Sequence, residues 1–195
     1  MTELQQFLTD LGVCRKAVEW VGQRDLSAAW AECERADWLL WLAARMARAP
    51  GWPPRTEVAR AVADCVETVL RYVPPGDTRP ADAIAAARAW ADNPCEQTRM
   101  VAAYAYVAAA VAISDAAHPP TVYSYVIRAS SHVAAYAADT DPFDASDVAK
   151  YVIDVSASDN GRICALIRAR LSPGPIEVPL TGRARVAGGS KNEVA

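Results

Sequence analysis

Apolar residues recur every three or four positions along almost the whole chain, and this spacing limits the possible folds more than any other feature. Such a period places apolar side chains on one face of an α-helix, whereas the alternation typical of half-buried strands is nearly absent. Prolines stand where helices should begin. Asn93-Pro94-Cys95-Glu96 supplies a cap, a proline and an acidic residue in order, and Asp141-Pro142-Phe143-Asp144 repeats the pattern. We therefore predict an all-α protein.

Proline- and glycine-rich loops divide the chain into about seven predicted helices. They cover residues 10–22, 26–48, 55–73, 80–92, 94–117, 120–138 and 144–171, with a break near Ser158-Asp159-Asn160-Gly161. Short connections favour antiparallel neighbours, so we predict a single-domain helical bundle over residues 1–171. Residues 172–195 are rich in proline and glycine, and we expect an irregular C-terminal tail there. A short strand at Ile176 to Leu180 is the alternative.

The predicted helices 94–117 and 120–138 carry small residues on nearly every face. Such helices can approach several neighbours closely, so we expect both at the centre of the bundle. The most apolar stretch, residues 100–113, would rise only about 21 Å as a helix, short of the roughly 30 Å of a bilayer core. We therefore predict a buried helix pair and no association with a membrane; a membrane hairpin formed with residues 122–138 is the alternative.

Composition excludes several classes of function. A net charge of −3 gives no support for a nucleic-acid partner, which usually requires a basic face. Two histidines, and cysteines without a CxxC pair, argue against a zinc site, and no nucleophile motif or phosphate-binding loop occurs. We predict no metal, no cofactor and no catalysis. The five cysteines are widely separated, which is typical of free thiols in a cytoplasmic protein.

Residues 29–45, AWAECERADWLLWLAAR, place three tryptophans and one aspartate in an alanine-rich stretch. On one continuous helix the spacing puts Trp30, Cys33, Asp37 and Trp41 on a shared face, with Trp38 beside it. A carboxylate on such a face needs a partner, because burying an unpaired charge is unfavourable. We interpret this cluster as a structural polar site within the core.

The predicted partner of Asp37 is Arg128, which lies one turn from His132 in another mostly apolar helix. In this interpretation the ion pair fixes helix 26–48 in the bundle. A carboxylate that faces a ligand between tryptophans is the first alternative. A helical enzyme with a buried polar site around Asp37, Arg128 and His132 is the second.

The densest acidic run consists of Asp139, Asp141, Asp144 and Asp147. It lacks the glycine and closing glutamate of a calcium-binding loop, and helix capping explains some of its members. The remaining charge makes this run a candidate surface for binding a basic protein partner.

Several motifs resemble one family. They are Cys14, Glu19-Trp20-Val21, Trp30-x-x-Cys33 and Asp37-Trp38-Leu39-Leu40-Trp41-Leu42. Together they resemble the signature of an immunity-protein family, whose members are small all-helical proteins of phages and of bacteria with polymorphic toxin systems. The resemblance spans roughly residues 12–171. The closing helix of the family often carries Gln-Cys-Asp before an arginine. This chain has Ile163-Cys164-Ala165 before Arg168, so two polar residues are missing.

The resemblance implies a cytoplasmic, non-catalytic protein that neutralises a toxin or effector by stoichiometric binding. It assigns the motif residues to the core only. The alternative is a phage-encoded accessory or anti-defence protein that acts on a host factor, in one form as a homo-oligomer.

Overall fold

A computed structural model of the chain describes residues 1–115, 122–138, 144–155 and 160–172. Within these ranges it contains ten α-helices, one 3₁₀ helix and no strand, which confirms the all-α prediction. The elements are α1 (Glu3–Asp10), α2 (Arg15–Val21), α3 (Leu26–Glu32), α4 (Ala36–Met46), α5 (Arg55–Glu67), the 3₁₀ helix Leu70–Tyr72, α6 (Arg79–Asp92), α7 (Glu96–Asp115), α8 (Val122–Ala138), α9 (Asp144–Val155) and α10 (Asn160–Arg170). Residues 173–195 of the predicted tail lie outside the described residues, as does the alternative strand at Ile176 to Leu180.

Helix α8 forms the centre of the bundle, where it packs against α5, α6, α7 and α9. Most of its residues are buried, and they are mainly alanine, serine and valine. The hydroxyl of Ser130 donates to the carbonyl of Val126 at 2.8 Å, and that of Ser131 donates to the carbonyl of Arg128 at 2.9 Å. These bonds satisfy the serine hydroxyls within the helix, so polar side chains can lie in the core without outside partners.

The expectation that α7 also lies at the centre is wrong. This helix packs on α6 and α8 through one face that includes Ala102 and Ala109, while Tyr104 and Val107 on the opposite face are exposed. A helix with alanine on every face can pack at the centre of a bundle. It is not driven there, because burying alanine removes little apolar area from water. Among the described helices, none is both long and apolar enough to cross a bilayer.

The predicted helix 26–48 is interrupted at residues 33–35. Cys33 and Arg35 have extended backbone conformations, and α4 begins afresh at Ala36. This segment contains neither glycine nor proline, so no local signal marks the break. The shared face predicted for Trp30, Cys33, Asp37 and Trp41 therefore does not exist as one continuous helical surface.

The N-terminal region also differs from the prediction, which placed a single helix at residues 10–22. Helix α1 begins earlier, where Thr2 and Gln5 form a reciprocal capping box with bonds of 2.9 and 3.2 Å. It ends near Gly12, whose φ of 83° suits a residue without a side chain. Helix α2 then follows as a separate short element.

Two further predicted helices are divided. The stretch 55–73 is α5 followed by the 3₁₀ helix, and the stretch 144–171 is α9 and α10. In the second case α10 begins at Asn160, within the predicted turn signal. The described residues therefore form ten α-helices instead of about seven, mainly because several predicted helices are divided.

An ion-pair network joins α5, α6 and α10 at the surface. Asp64 accepts from Arg88 of α6 at 2.8 Å and from Arg170 of α10 at 2.7 Å. Arg88 also contacts Glu67 at 2.7 Å, and these hydrogen bonds lower the pKa of Glu67. One aspartate on α5 thus contacts both neighbouring helices.

Asp77 connects the start of α6 to the start of α8. Its carboxylate accepts from Nε of Arg79 at 2.8 Å and also from the hydroxyl of Tyr123. The hydrogen bonds from Arg79, and then that from Tyr123, hold the pKa of Asp77 well below its ordinary value. The side chain of Asp77 is largely buried, so these bonds are shielded from water.

We expect Asp77→Asn to lower the free energy of unfolding by about 1–3 kcal/mol at neutral pH, because a charge-assisted bond is weakened. The folded-state pKa of Asp77 lies below its unfolded value of 3.8, so this stabilisation is complete above that pH. The difference between wild type and variant should shrink as the pH falls below about 4. Urea titrations at several pH values measure it. Asp82→Asn, at an exposed site in the first turn of α6, is the control and should change stability by less than about 0.5 kcal/mol, because the amide oxygen can still accept from the hydroxyl of Thr78.

Candidate binding site: a tryptophan-lined cavity

Helices α1 to α4 and the first turns of α9 surround an apolar cavity of about 360 Å³ that is partly open to solvent. Its volume falls within the range of roughly 300–1,000 Å³ found for ligand pockets. Four of the six tryptophans line it. The lining residues are Leu4, Leu8, Gly12, Val13, Cys14, Ala17, Trp20, Val21, Leu26, Ala29, Trp30, Cys33, Arg35, Asp37, Trp38, Leu39, Trp41, Leu42, Ser146 and Lys150.

The cavity lies where two hydrophobic clusters meet. Leu4, Leu8, Val21 and Ala29 of the three short N-terminal helices form a small cluster separate from the main core. Trp20, with Leu26 and Leu42, contacts both clusters. Helices of seven or eight residues present few large side chains, and these do not fill the space between the clusters.

Trp20 and Trp38 form one wall through an edge-to-face contact, with ring centroids 6.1 Å apart. A guanidinium group covers each ring: Arg24 lies 4.6 Å from the Trp20 centroid and Arg35 lies 4.7 Å from that of Trp38. Both contacts have cation–π geometry, which favours arginine over the ring face. This arrangement orients two large aromatic surfaces at the cavity.

Asp37 is the buried carboxylate of the site, and Arg35 is its partner. Nε of Arg35 donates to Oδ1 at 2.9 Å and Nη2 donates to Oδ2 at 2.7 Å, a two-pronged pair. The Asp37 side chain is 7% exposed and that of Arg35 is 53% exposed. The hydrogen bond to Asp37 raises the pKa of Arg35. The charge on Asp37 is therefore neutralised by a residue that reaches solvent.

The predicted ion pair between Asp37 and Arg128 is wrong, since Arg35 occupies both carboxylate oxygens. Arg128 and His132 lie on α8, and neither lines the cavity. His132 instead stacks on Tyr151 with centroids 5.4 Å apart. The catalytic grouping of Asp37, Arg128 and His132 is thus not assembled. The other cluster residues, Trp30, Cys33, Trp38 and Trp41, do line the cavity with Asp37.

Arg168 of α10 binds the junction between α3 and α4. Its Nε donates to the carbonyl of Trp30 at 2.9 Å, and its Nη2 donates to the carbonyl of Cys33. Asn160 donates to the carbonyl of Glu34 in the same junction. Carbonyls at the end of a helix lack partners within it, so α10 supplies the missing donors.

Cys33 and Cys164 are buried neutral thiols. Burial raises the pKa of Cys33 and raises the pKa of Cys164 to about 11. Such thiols are poor nucleophiles at neutral pH. All five cysteines of the chain are free; Cys33, Cys65 and Cys164 are buried, whereas Cys14 and Cys95 are exposed. Within the described residues, no group of three or more potential ligands could hold a metal ion.

Trp30 packs against Trp52 with centroids 6.0 Å apart and rings nearly perpendicular. Both indole N–H groups are buried without a hydrogen-bond partner among the described residues. An unpaired buried donor is uncommon, because losing its bond to water is unfavourable. Trp30, which also lines the cavity, therefore carries a donor that the described residues leave unpaired.

Of the predicted acidic surface, only Asp147 can be placed fully. It pairs with Lys150 at 2.7 Å, and Lys150 and Ser146 line the cavity. Asp139 and Asp141 lie outside the described residues. Asp144 is the first residue of α9, and its side chain is not among the parts that the structure describes. The described end of the acidic run is thus adjacent to the cavity.

Sequence reasoning missed Arg35, Lys150 and the leucines of α1 as parts of this site. The capping box of Thr2 and Gln5, followed by Leu4 and Leu8, is a signal that could have revealed α1. No comparable signal marks Arg35, because its contact with Asp37 depends on the break before α4.

Comparison with protein-family models, curated proteins and solved structures gives no significant match. Fold and site therefore define the class: an all-helical protein with an apolar cavity lined by tryptophans. The resemblance to the immunity-protein family stays a prediction.

We expect Asp37→Asn to destabilise the protein by about 1–3 kcal/mol, because Arg35 loses a charged partner. The effect should be smaller than the roughly 3–5 kcal/mol typical of breaking a fully buried pair, since Arg35 can turn to water. Thermal and urea unfolding measure this change. Glu34→Gln, an exposed substitution in the same junction, is the control. Equal stability of both variants would contradict a structural role for the pair.

Proposed function

We propose that this protein is a cytoplasmic, non-catalytic binding protein that holds a protein partner by an apolar segment inserted into the tryptophan-lined cavity. The cavity carries this proposal: it combines a large aromatic surface with a few polar groups at its edge. That combination is typical of binding pockets, where apolar contact supplies affinity and polar groups fix orientation. The free cysteines support a reducing compartment.

The chemistry of the cavity supports binding over catalysis. Asp37 is engaged by Arg35, and the raised pKa of Cys33 keeps its thiol protonated at neutral pH. A general base or nucleophile must instead be accessible and titrate near the working pH. Trp20 and Trp38, partly exposed and oriented by arginines, are residue types that commonly dominate binding energy at protein interfaces.

The partner segment we propose is apolar with basic residues beside it. The acidic run that ends at Asp147 adjoins the wall formed by Ser146 and Lys150. Negative charge beside an apolar pocket attracts a partner of opposite charge and accelerates association at low salt. A toxin or effector neutralised by occlusion is the partner class that the family resemblance implies. A host factor bound by a phage-encoded accessory protein is the alternative.

A cavity-filling variant separates loss of binding from loss of fold. Ala17 is buried and lines the cavity, so Ala17→Leu should occupy part of its volume while preserving α2. Ala31 is exposed on α3 and does not line the cavity, so Ala31→Leu is the matched control. Wild type and both variants are tagged, expressed in the native host and recovered at low and moderate salt.

We expect wild type and Ala31→Leu to retain one stoichiometric partner, and Ala17→Leu to lose it by at least about tenfold in affinity, with unchanged helicity. Higher salt should weaken recovery through a slower association rate. Equal recovery by both variants would exclude the cavity as the binding site. Native mass spectrometry that finds a small molecule in wild type but not in Ala17→Leu would contradict a protein partner and indicate a small ligand.

A further inference from the structure

Helix α7 carries a row of exposed apolar side chains on the face that points away from the bundle. The row, here named the α7 stripe, consists of Met100, Tyr104, Val107 and Val111, with exposed fractions of 44, 70, 54 and 55%. The opposite face packs on α6 and α8. Single exposed apolar residues are ordinary, but a continuous row along three turns indicates a contact surface.

The spacing within the α7 stripe is that of a coiled-coil seam. Intervals of four, three and four residues separate its members, as between successive d and a positions of a heptad. These intervals average about 3.7 residues, close to the 3.6 residues of one helical turn, so the row stays on one side of the helix along its length. The surface therefore suits another helix lying along it.

The stripe is also complementary to itself in the antiparallel direction. When two α7 helices lie antiparallel about an axis between residues 105 and 106, Tyr104 faces Val107 of the second copy. Met100 then faces Val111, and the small residues Ala103 and Ala108 flank the seam on its two sides. In antiparallel coiled coils an a residue of one helix packs against a d residue of the other, as it does here. The arrangement also has two-fold symmetry, so each contact occurs twice.

We propose that the α7 stripe binds a second copy of this chain, as an antiparallel helix pair about a two-fold axis. Charge supports this occupant over a lipid surface. Between Gln97 and Ser114 the only charged residue is Arg99, which pairs with Glu96 at 2.9 Å. Helices that lie on membranes usually carry many lysines and arginines on the polar face, whereas an uncharged seam avoids repulsion between identical copies.

The dimer would not block the cavity. None of the cavity-lining residues belongs to α7, and α7 makes its main contacts with α6 and α8. Each dimer would therefore present two cavities, so a partner with two binding segments would gain avidity. This inference stands independently of the function proposed above.

Analytical ultracentrifugation of the full chain from roughly 1 to 100 μM measures the dimer directly. We expect wild type to dimerise within this range, and Tyr104→Glu and Val107→Lys each to remain monomeric with unchanged helicity. Because residue 104 of one copy faces residue 107 of the other, mixing the two variants should restore a heterodimer through a glutamate–lysine pair. Tyr72→Glu, at an exposed tyrosine outside the stripe, is the control and should dimerise like wild type.

Three outcomes would overturn the proposal. A wild type that stays monomeric at 100 μM excludes self-association, and binding of that monomer to anionic phosphatidylglycerol vesicles would show a lipid occupant instead. A full-length Ile176→Asp, Leu180→Asp variant that dimerises while wild type does not would place residues 173–195 on the stripe. Monomeric single variants that fail to pair when mixed would exclude the antiparallel arrangement.

Discussion

The contact of Arg168 with the junction between α3 and α4 is the interaction on which the cavity depends. Its guanidinium group supplies donors to carbonyls of Trp30 and Cys33 that the end of a helix leaves unpaired. Positive charge is also favourable at a helix C-terminus. With these carbonyls satisfied from α10, the chain can leave the helix at Cys33 and start a new one at Ala36. The resulting separation of α3 from α4 opens the space that the tryptophans line.

The rest of the bundle divides into a densely packed centre and a sparsely packed N-terminal region. Helix α8 contacts four neighbours through small side chains, and ion pairs to Asp64 join α5, α6 and α10 around it. By contrast, α1 to α3 are short helices joined through loops that include Gly12 and Gly22, with a small cluster of their own. Regions with few buried contacts open at lower free energy than the core. A cavity between such a region and the bundle can therefore open without disturbing the densely packed centre.

Trp30, Cys33, Asp37, Trp38 and Trp41 show how far the site could be predicted. Their composition indicated a polar group among aromatic residues, and all five line one cavity. The predicted partners failed because α4 packs mainly against α5, α9 and α10, so Arg128 and His132 of α8 do not line the cavity with Asp37. The break before α4 brings Asp37 beside Arg35, two positions earlier, which an unbroken helix would have turned to another side.

The sequence by itself determined the all-helical class, because apolar spacing and proline-started helices are local properties that each segment carries with it. It also placed three tryptophans and Asp37 within residues 30–41, close enough in sequence to share a site. The tertiary structure decided where long predicted helices are interrupted, which helix lies at the centre and which charge neutralises Asp37. Those choices depend on donors and surfaces distant in the chain, such as Arg168 for the α3–α4 junction and the neighbours of α8. The spacing of residues within one segment cannot predict these features, because they are stabilised only by contacts between helices that are distant in the sequence.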